Sequence, residues 1–129
     1  MFILIIQIII VYIFSCIIHE IGHSEAASYL GDNTAKQQGR SSLNLLKHLT
    51  LSGFRKVPIR ILTNKTDLIL VNSAGIISNL ILILMAILFS TVKEFQILNI
   101  IIWVNVFLII INLIPMRFKG ITSDGYKIL

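Results

Sequence analysis

The stretch FILIIQIIIVYIFSCIIHEIGHSEAASYL (residues 2–30) decides the fold of this chain. Its first part, residues 2–18, is apolar except for Gln7, Ser15 and Cys16. As a helix, residues 2–30 would extend about 43 Å at about 1.5 Å per residue, which exceeds the hydrocarbon thickness of about 30 Å. The stretch then ends in two histidines and two glutamates. We therefore expect a membrane helix whose polar end lies near one face of the bilayer, where neighbouring protein shields it.

The composition of the whole chain agrees with a membrane protein. Of its 129 residues, 56% are hydrophobic and 13% are charged, with a mean hydropathy of +0.90; soluble domains average about 25% charged. The apolar residues form three runs and predict helices over about 2–30, 67–92 and 95–114 within a single membrane-embedded domain, 1–129. The first run has neither a basic leader nor a small-residue cleavage site, so it is predicted to stay in the protein and not to be a removable signal peptide.

The polar segment 31–66 is predicted to form a short insertion between the first two helices. In FRKVPIRIL (54–62), apolar and polar residues alternate around Pro58, which is typical of an edge strand. Residues 42–51 are compatible with an interfacial helix or another strand. The predicted fold class is thus an all-α membrane protein with about three transmembrane helices and a short cytoplasmic insertion of strand or amphipathic character.

The positive charges indicate how the chain is oriented. Seven of the eleven Lys and Arg residues lie in 31–66, three follow the third helix, and only Lys93 lies between the second and third helices. The positive-inside rule therefore places the segment 31–66 and the C-terminus in the cytoplasm and the N-terminus outside, in a multi-pass cell-membrane protein. The net charge of +5 is explained by this membrane setting. The basic residues are not interleaved with aromatic ones, so we expect no nucleic-acid partner.

The polar end of the first helix contains the pattern H-E-x-x-H, as His19, Glu20 and His23. Residues i and i+4 share a helix face, so both imidazoles can reach one ion. A catalytic zinc takes three protein ligands and keeps one position for water, and Glu20 would be the base that accepts the proton of that water. A polar helix end at the membrane interface is the simpler explanation for a single histidine. Three ionisable groups in register on an almost uncharged helix favour a metal site.

The third ligand is not determined by these residues alone. Glu25 lies roughly 200° around the helix from the second histidine, and Glu94 is predicted to lie on the opposite side of the membrane. Asp67, His48 and Asp124 all lie on the cytoplasmic side and remain candidates. Asp67 is equally well explained as a cap of the second helix.

Two polar stripes run along the later helices. Asn72, Gly75 and Asn79 share a face of the second helix, and Asn105 and Asn112 are seven residues apart on the third. Amides in lipid need hydrogen-bond partners, so these faces are predicted to turn inward. They serve either to join the helices or to bind substrate, and the two roles are compatible.

Three motifs in this order, HEIGHSEAASYLG (19–31), NSAGIISN (72–79) and NLIPMRFKGITSDGYKIL (112–129), resemble the site-2 protease family of intramembrane zinc metalloproteases. That family pairs H-E-x-x-H on one membrane helix with an Asn…Pro…Asp-Gly motif after a later one. The resemblance implies that Asn112 lines the substrate cleft, and Asn79 matches a recurrent family asparagine, which makes it a second candidate for substrate binding.

The resemblance also implies the catalytic residues. His19, His23 and Asp124 would be the ligands of one catalytic Zn²⁺, and Glu20 would be the catalytic acid/base. The chain differs from the family pattern in its longer interval before Asp124 and in Thr122-Ser123, which stand where the family has an apolar residue.

The implied function is that of a zinc-dependent intramembrane endopeptidase, with a minimal core that lacks a regulatory extramembrane domain. Its partners would be the lipid bilayer and a membrane-embedded peptide, such as a regulatory protein, a signal-peptide remnant or a peptide precursor. The edge strand predicted at 54–62 would hold the unwound substrate by β-addition. The alternative is a small non-catalytic metal-binding membrane subunit or transporter component. A transporter needs polar groups across the whole bilayer, and in the outer half of the first helix these stop at Gln7.

Overall fold

Three long helices form the body of the protein in the computed structural model, which describes residues 1–44, 46, 49–50, 53–54, 59, 61–93, 95–118 and 121–129. They are α1 (Phe2–Tyr29), α3 (Lys65–Ser90) and α4 (Gln96–Leu113). Each is long and apolar enough to cross a membrane. The mostly helical membrane fold that the sequence predicts is therefore confirmed.

The remaining elements are short. Within the described residues they include two helices, α2 (Thr34–Gln37) and α5 (Asp124–Ile128). Four are two-residue strands that pair as antiparallel hairpins: β1 (Leu49–Thr50) with β2 (Gly53–Phe54), and β3 (Arg117–Phe118) with β4 (Ile121–Thr122). Most of the edge strand predicted at 54–62 falls on residues 55–58 and 60, outside the described residues, so it stays a prediction. His48 and residues 45, 47 and 51 of the ambiguous segment 42–51 also lie outside them, although β1 falls within that segment.

α3 begins two residues before the predicted position, because Asn64 caps it. The side-chain oxygen of Asn64 accepts a hydrogen bond from the backbone N–H of Thr66 at 3.2 Å. The sequence allowed Asp67 to be the cap of this helix, but Asp67 lies in the first turn of α3. There its negative charge is stabilised by the positive end of the helix dipole.

The H-E-x-x-H turn of α1 packs against α3 at very short range. A Cβ atom placed on Gly22 would lie 2.8 Å from the carbonyl oxygen of Ala74 and would also meet the hydroxyl of Ser78. Only glycine permits such an approach, as is common where membrane helices meet through small residues. The contact puts the middle of α3 directly beside the two histidines.

α1 and α4 are joined by a buried amide. Asn105 donates to the hydroxyl of Ser15 at 3.0 Å and to the carbonyl oxygen of Ile101 at 2.8 Å. A polar side chain in an apolar bundle is stabilised by such partners. Asn105 thus joins two helices, which is one of the two roles considered for the polar stripes.

Candidate metal centre

Three buried side chains converge where α1, α3 and α5 meet. One carboxylate oxygen of Asp124, Oδ2, lies 2.9 Å from His19 Nε2 and 3.1 Å from His23 Nε2, and the two Nε2 atoms are 3.1 Å apart. The three potential ligand atoms all lie within 4.8 Å of one another. Two imidazoles and one carboxylate directed at a single point are a donor set of the kind that holds a catalytic zinc. Among the candidates for a third ligand, Asp67 is not part of this cluster.

The segment between α4 and α5 places Asp124 through its neighbour Ser123. The hydroxyl of Ser123 donates to the carbonyl oxygen of Ile114 at 2.7 Å and accepts from the backbone N–H of Met116 at 2.9 Å. It also accepts from the N–H of Tyr126 at 3.3 Å, which caps α5. A serine in place of an apolar residue before Asp-Gly therefore has a structural reason, because it closes this segment and starts the helix that carries Asp124.

Gly125 brings α5 against the last turn of α4. A Cβ atom at this position would collide with the backbone carbonyl of Leu113 and lie 3.1 Å from the carbonyl oxygen of Asn112. The hairpin β3–β4 lies in the interval between Asn112 and Asp124. The glycine of the Asp-Gly pair thus keeps the carboxylate at the level of the histidines.

Gly75 of α3 makes room for both imidazoles. A Cβ atom at Gly75 would lie 2.5 Å from His23 Nε2 and 2.7 Å from His19 Nε2. These are the nitrogens that face Asp124, so even an alanine would occupy the space where the ligand atoms meet. The sequence places Gly75 in a polar stripe but does not indicate this role.

Each histidine is held through its other ring nitrogen by α3. His23 Nδ1 donates to the backbone carbonyl oxygen of Val71 at 2.7 Å, so Nε2 is the ring nitrogen directed at the cluster. His19 Nδ1 lies 3.3 Å from the amide nitrogen of Asn79. The two rings stand almost perpendicular, at 89°, with centroids 4.7 Å apart.

Asp124 is ionised in this arrangement. Burial raises the pKa of its carboxyl, but the hydrogen bonds with His19 and His23 lower it further than burial raises it, so the pKa lies well below its ordinary value. The carboxylate is therefore in the form that binds a metal at neutral pH.

A cavity of about 190 Å³ opens onto the cluster. Glu20 lines it, and the carboxylate oxygen Oε2 of Glu20 is buried with no hydrogen-bond partner in the part of the chain that the structure describes. Asn72 and Asn112 line it from α3 and α4, and each donates one amide N–H to the carbonyl oxygen four residues earlier. The cavity thus combines the metal cluster, an unpartnered carboxylate oxygen and two amides.

The two asparagines that the sequence offers as substrate contacts are placed differently. Asn112 lies on the cavity, as the prediction requires, whereas Asn79 is completely buried behind His19 and is not among the lining residues. Asn72 lies on the cavity although the sequence does not single it out from its stripe. Its position one helical turn before Gly75 is the signal that could have found it.

A second, apolar groove of about 610 Å³ runs between α1 and α4, away from the metal cluster. It is lined mainly by large apolar side chains, among them Ile9, Trp103 and Phe107. Tyr12 lines both this groove and the cavity. The apolar groove therefore lies next to the cavity, and Tyr12 is the side chain common to both.

Comparison with known proteins identifies a relative in Bacillus subtilis (strain 168). The chain is 34% identical over 151 aligned positions to its "Putative zinc metalloprotease YwhC", and the match covers 95% of this chain and 67% of the relative. No protein-family profile and no solved structure matches the chain. A match of this identity and extent indicates common descent, and the chain therefore belongs to the same zinc metalloprotease family as YwhC.

Proposed function

We propose that this protein is a zinc-dependent intramembrane endopeptidase of the site-2 protease type, which cleaves a membrane-embedded peptide near the cytoplasmic face. One observation carries the proposal. The two histidines of H-E-x-x-H and a carboxylate from the far end of the chain converge beside Glu20, in a bundle of three helices that are each long enough to cross a membrane.

His19 and His23 would hold the zinc through Nε2, and Asp124 would hold it through a carboxylate oxygen. The residues present fit the ion, since three donors converge and Gly75 leaves the space in front of them clear. Bound there, zinc would lower the pKa of a water molecule towards about 7 and would polarise a peptide carbonyl.

Glu20 moves the proton in this mechanism. Its carboxylate accepts a proton from the attacking water while the water oxygen bonds to the carbonyl carbon. It then gives that proton to the amine nitrogen as the C–N bond breaks, so that one water is consumed and a carboxyl group and an amine are formed. The amides of Asn72 and Asn112 face the same cavity and are positioned to hold the peptide backbone during these steps.

The apolar groove between α1 and α4 supports a membrane-embedded substrate. Its lining suits an apolar helix lying in the bilayer, and because Tyr12 lines both the groove and the cavity, a helix in the groove would lie next to the metal cluster's cavity. A helix hides its carbonyl groups in i→i−4 hydrogen bonds, so the substrate must unwind where it enters the cavity. Regulatory membrane proteins, signal-peptide remnants and peptide precursors all offer such a segment.

The cytoplasmic position of the site follows from the distribution of basic residues. We expect Lys36, in the segment after α1, in the cytoplasm and Lys93, between α3 and α4, outside. The test is single-cysteine labelling with a membrane-impermeant maleimide, in a background where Cys16 is replaced by alanine. Lys93→Cys should be labelled in intact cells and Lys36→Cys only after permeabilisation, and the reverse pattern would overturn the orientation.

The test of the activity is Glu20→Gln. This variant should keep its zinc and lose cleavage, so its natural substrates should accumulate in the membranes of cells that carry it. Glu25→Gln is the matched control, because Glu25 is half-exposed, pairs with Lys36 at 3.4 Å and is not among the residues that line the cavity. If membrane peptides are processed equally with native Glu20 and with Gln, the chain is a non-catalytic metal-binding subunit and not a protease.

The test of the groove is site-specific photo-crosslinking in the Glu20→Gln background, which retains substrate. A photoreactive side chain at Phe107, in the groove, should crosslink to the accumulating peptide. The same group at Leu84, which is exposed on α3 and does not line the groove, should not. Crosslinks to lipid alone at Phe107, or equal peptide crosslinking from both positions, would exclude the groove as the docking site.

A further inference from the structure

We propose that Asn79 is a positioning residue for the metal: its amide oxygen accepts a hydrogen bond from His19 Nδ1–H and so fixes the imidazole form whose Nε2 binds zinc. The inference rests on the zinc site of the proposed function, but it does not depend on proteolysis. It gives Asn79 a role toward a ligand in place of the substrate contact that the family resemblance implies.

The contact lies on the side of His19 that faces away from the cluster. His19 Nε2 is 2.9 Å from Asp124, and on the opposite edge of the ring Nδ1 is 3.3 Å from the amide nitrogen of Asn79. In this arrangement the amide donates to Nδ1, and the proton of the neutral ring resides on Nε2, where it is donated to Asp124. This form suits a ring without a metal.

Binding a metal through Nε2 reverses the requirement at Nδ1. The neutral ring must then carry its proton on Nδ1, and this N–H needs an acceptor. The amide oxygen of Asn79 is buried and has no hydrogen-bond partner among the described residues. A half-turn of the amide brings this oxygen to Nδ1. Asparagine can serve both forms of the ring, because its amide carries a donor and an acceptor.

The partner of His23 Nδ1 differs in kind from the partner of His19 Nδ1. His23 Nδ1 is held by the backbone carbonyl oxygen of Val71 at 2.7 Å, which can only accept and so always favours the metal-binding form. His19 has a side chain in the equivalent place. Both partners are on α3, so this helix orients both histidines of α1.

Burial separates this role from substrate binding. Asn79 is 0% exposed and is not among the residues that line the cavity, so a peptide in the cavity does not reach its amide. Asn105 is an internal comparison, since it too is 0% exposed and has a buried amide oxygen without a described partner. Its amide donates to Ser15 and Ile101, not to a metal-binding residue.

The experiment measures the zinc affinity of the purified full chain by competition with a chelating dye. All variants are made in the Glu20→Gln background, so no proteolysis enters the result. Asn79→Leu keeps the approximate size and removes the acceptor, and we expect its zinc affinity to fall about 10- to 100-fold. Asn79→Asp keeps acceptor oxygens and should bind zinc within a few-fold of the parent. Asn105→Leu, the matched control, should lower the thermal stability and leave the zinc affinity unchanged.

The proposal fails if Asn79→Leu binds zinc as tightly as the parent, or if Asn79→Asp is as weak as Asn79→Leu. If these variants do not fold, the proposal can still be tested on the chain that keeps its native Asn79. In the zinc-loaded chain with ¹⁵N-labelled histidine, NMR should show His19 protonated at Nδ1, with that proton protected from exchange. A rapidly exchanging Nδ1 proton, or a chain that binds no zinc, would overturn it. Zinc binding without any proteolysis would instead overturn the proposed function and leave the role of Asn79 intact.

Discussion

The two halves of α1 belong to one helix but have opposite relations to the rest of the protein. In the first half, residues 2–14, nearly every large apolar side chain is exposed, up to 77% for Phe2. In the second half, the buried side chains are mostly small or polar, and they are Ser15, Ile17, His19, His23, Ser24 and Ala27. One helix thus passes from a surface suited to lipid to a surface that is packed against protein.

The difference shows what selects residues in each environment. Lipid tails are as apolar as leucine, so burying a large apolar side chain between membrane helices brings little gain. Close backbone approach and hydrogen bonds select the residues where helices meet. Substitutions should therefore have large effects in or against the second half of α1 and small ones in the first half.

The largest effect is expected from Gly75→Ala in α3, which faces the two histidines. In an exposed helix this change would add about 1 kcal/mol of stability through helix propensity. Here the new Cβ would lie 2.5 Å from His23 Nε2, so we expect the variant to lose zinc and, with it, cleavage. Zinc per chain after purification, measured by mass spectrometry, is the test. A zinc-replete Gly75→Ala protein would show that the imidazoles do not occupy this space.

Gly22→Ala should have the next largest effect, on packing. The added methyl group would lie 2.8 Å from the carbonyl oxygen of Ala74, which cannot move without shifting α3. We expect a loss of about 1–3 kcal/mol in the free energy of unfolding in mixed micelles, as for other overpacked sites.

Adding Ser78→Ala to the Gly22→Ala variant tests whether the clash with the carbonyl of Ala74 causes the loss. It removes the other atom that the new methyl group meets but not the backbone carbonyl, so it should restore only part of the loss. Complete recovery would show that the hydroxyl, and not the helix backbone, sets the distance between α1 and α3.

Ser123→Ala should have a moderate effect, away from α1. The change removes the hydroxyl that bonds Ile114, Met116 and Tyr126, so α5 loses its cap and Asp124 its fixed position. Loss of a helix cap costs about 1 kcal/mol, which corresponds to a zinc affinity weaker by about fivefold if Asp124 must be ordered again on binding. Thr122→Ala, next to it, should not change the affinity. Equal affinities for Ser123→Ala and the native chain would mean that the metal alone orders this segment.

The smallest effect is expected in the first half of α1. Ile5→Leu exchanges one exposed apolar side chain for another, and we expect less than about 0.5 kcal/mol change in the unfolding free energy and no change in zinc binding or cleavage. The comparison between the two halves would break down if this exchange impaired cleavage, because Ile5 would then have to contact a partner.

The parts of this protein that sequence predicts are those encoded locally. Apolar run length and helical spacing predict the three long helices and the shared face of His19 and His23. α3 begins two residues before the position that the sequence predicts, because Asn64 and Asp67 are both residue types that cap helices and only the contact with Thr66 distinguishes them.

The remaining features arise from contacts between distant segments. Asp67, His48 and Asp124 were equivalent candidates on sequence spacing, and it is the turn set by Ser123 that brings Asp124 to the histidines. The space left by Gly75 depends equally on contacts between helices that are far apart in the chain. No periodicity encodes such contacts.

The separation in sequence between His19 and Asp124, two of the proposed metal ligands, has a consequence for biosynthesis. Asp124 follows His19 by 105 residues. At about 5–20 residues per second, a ribosome needs roughly 5–20 s to pass from one to the other. During that time α1 is already available to the membrane, but its histidines lack their third partner. The chain would thus become able to hydrolyse peptides only after α5 has been synthesised. Until then, the incomplete chain would not cleave neighbouring membrane proteins.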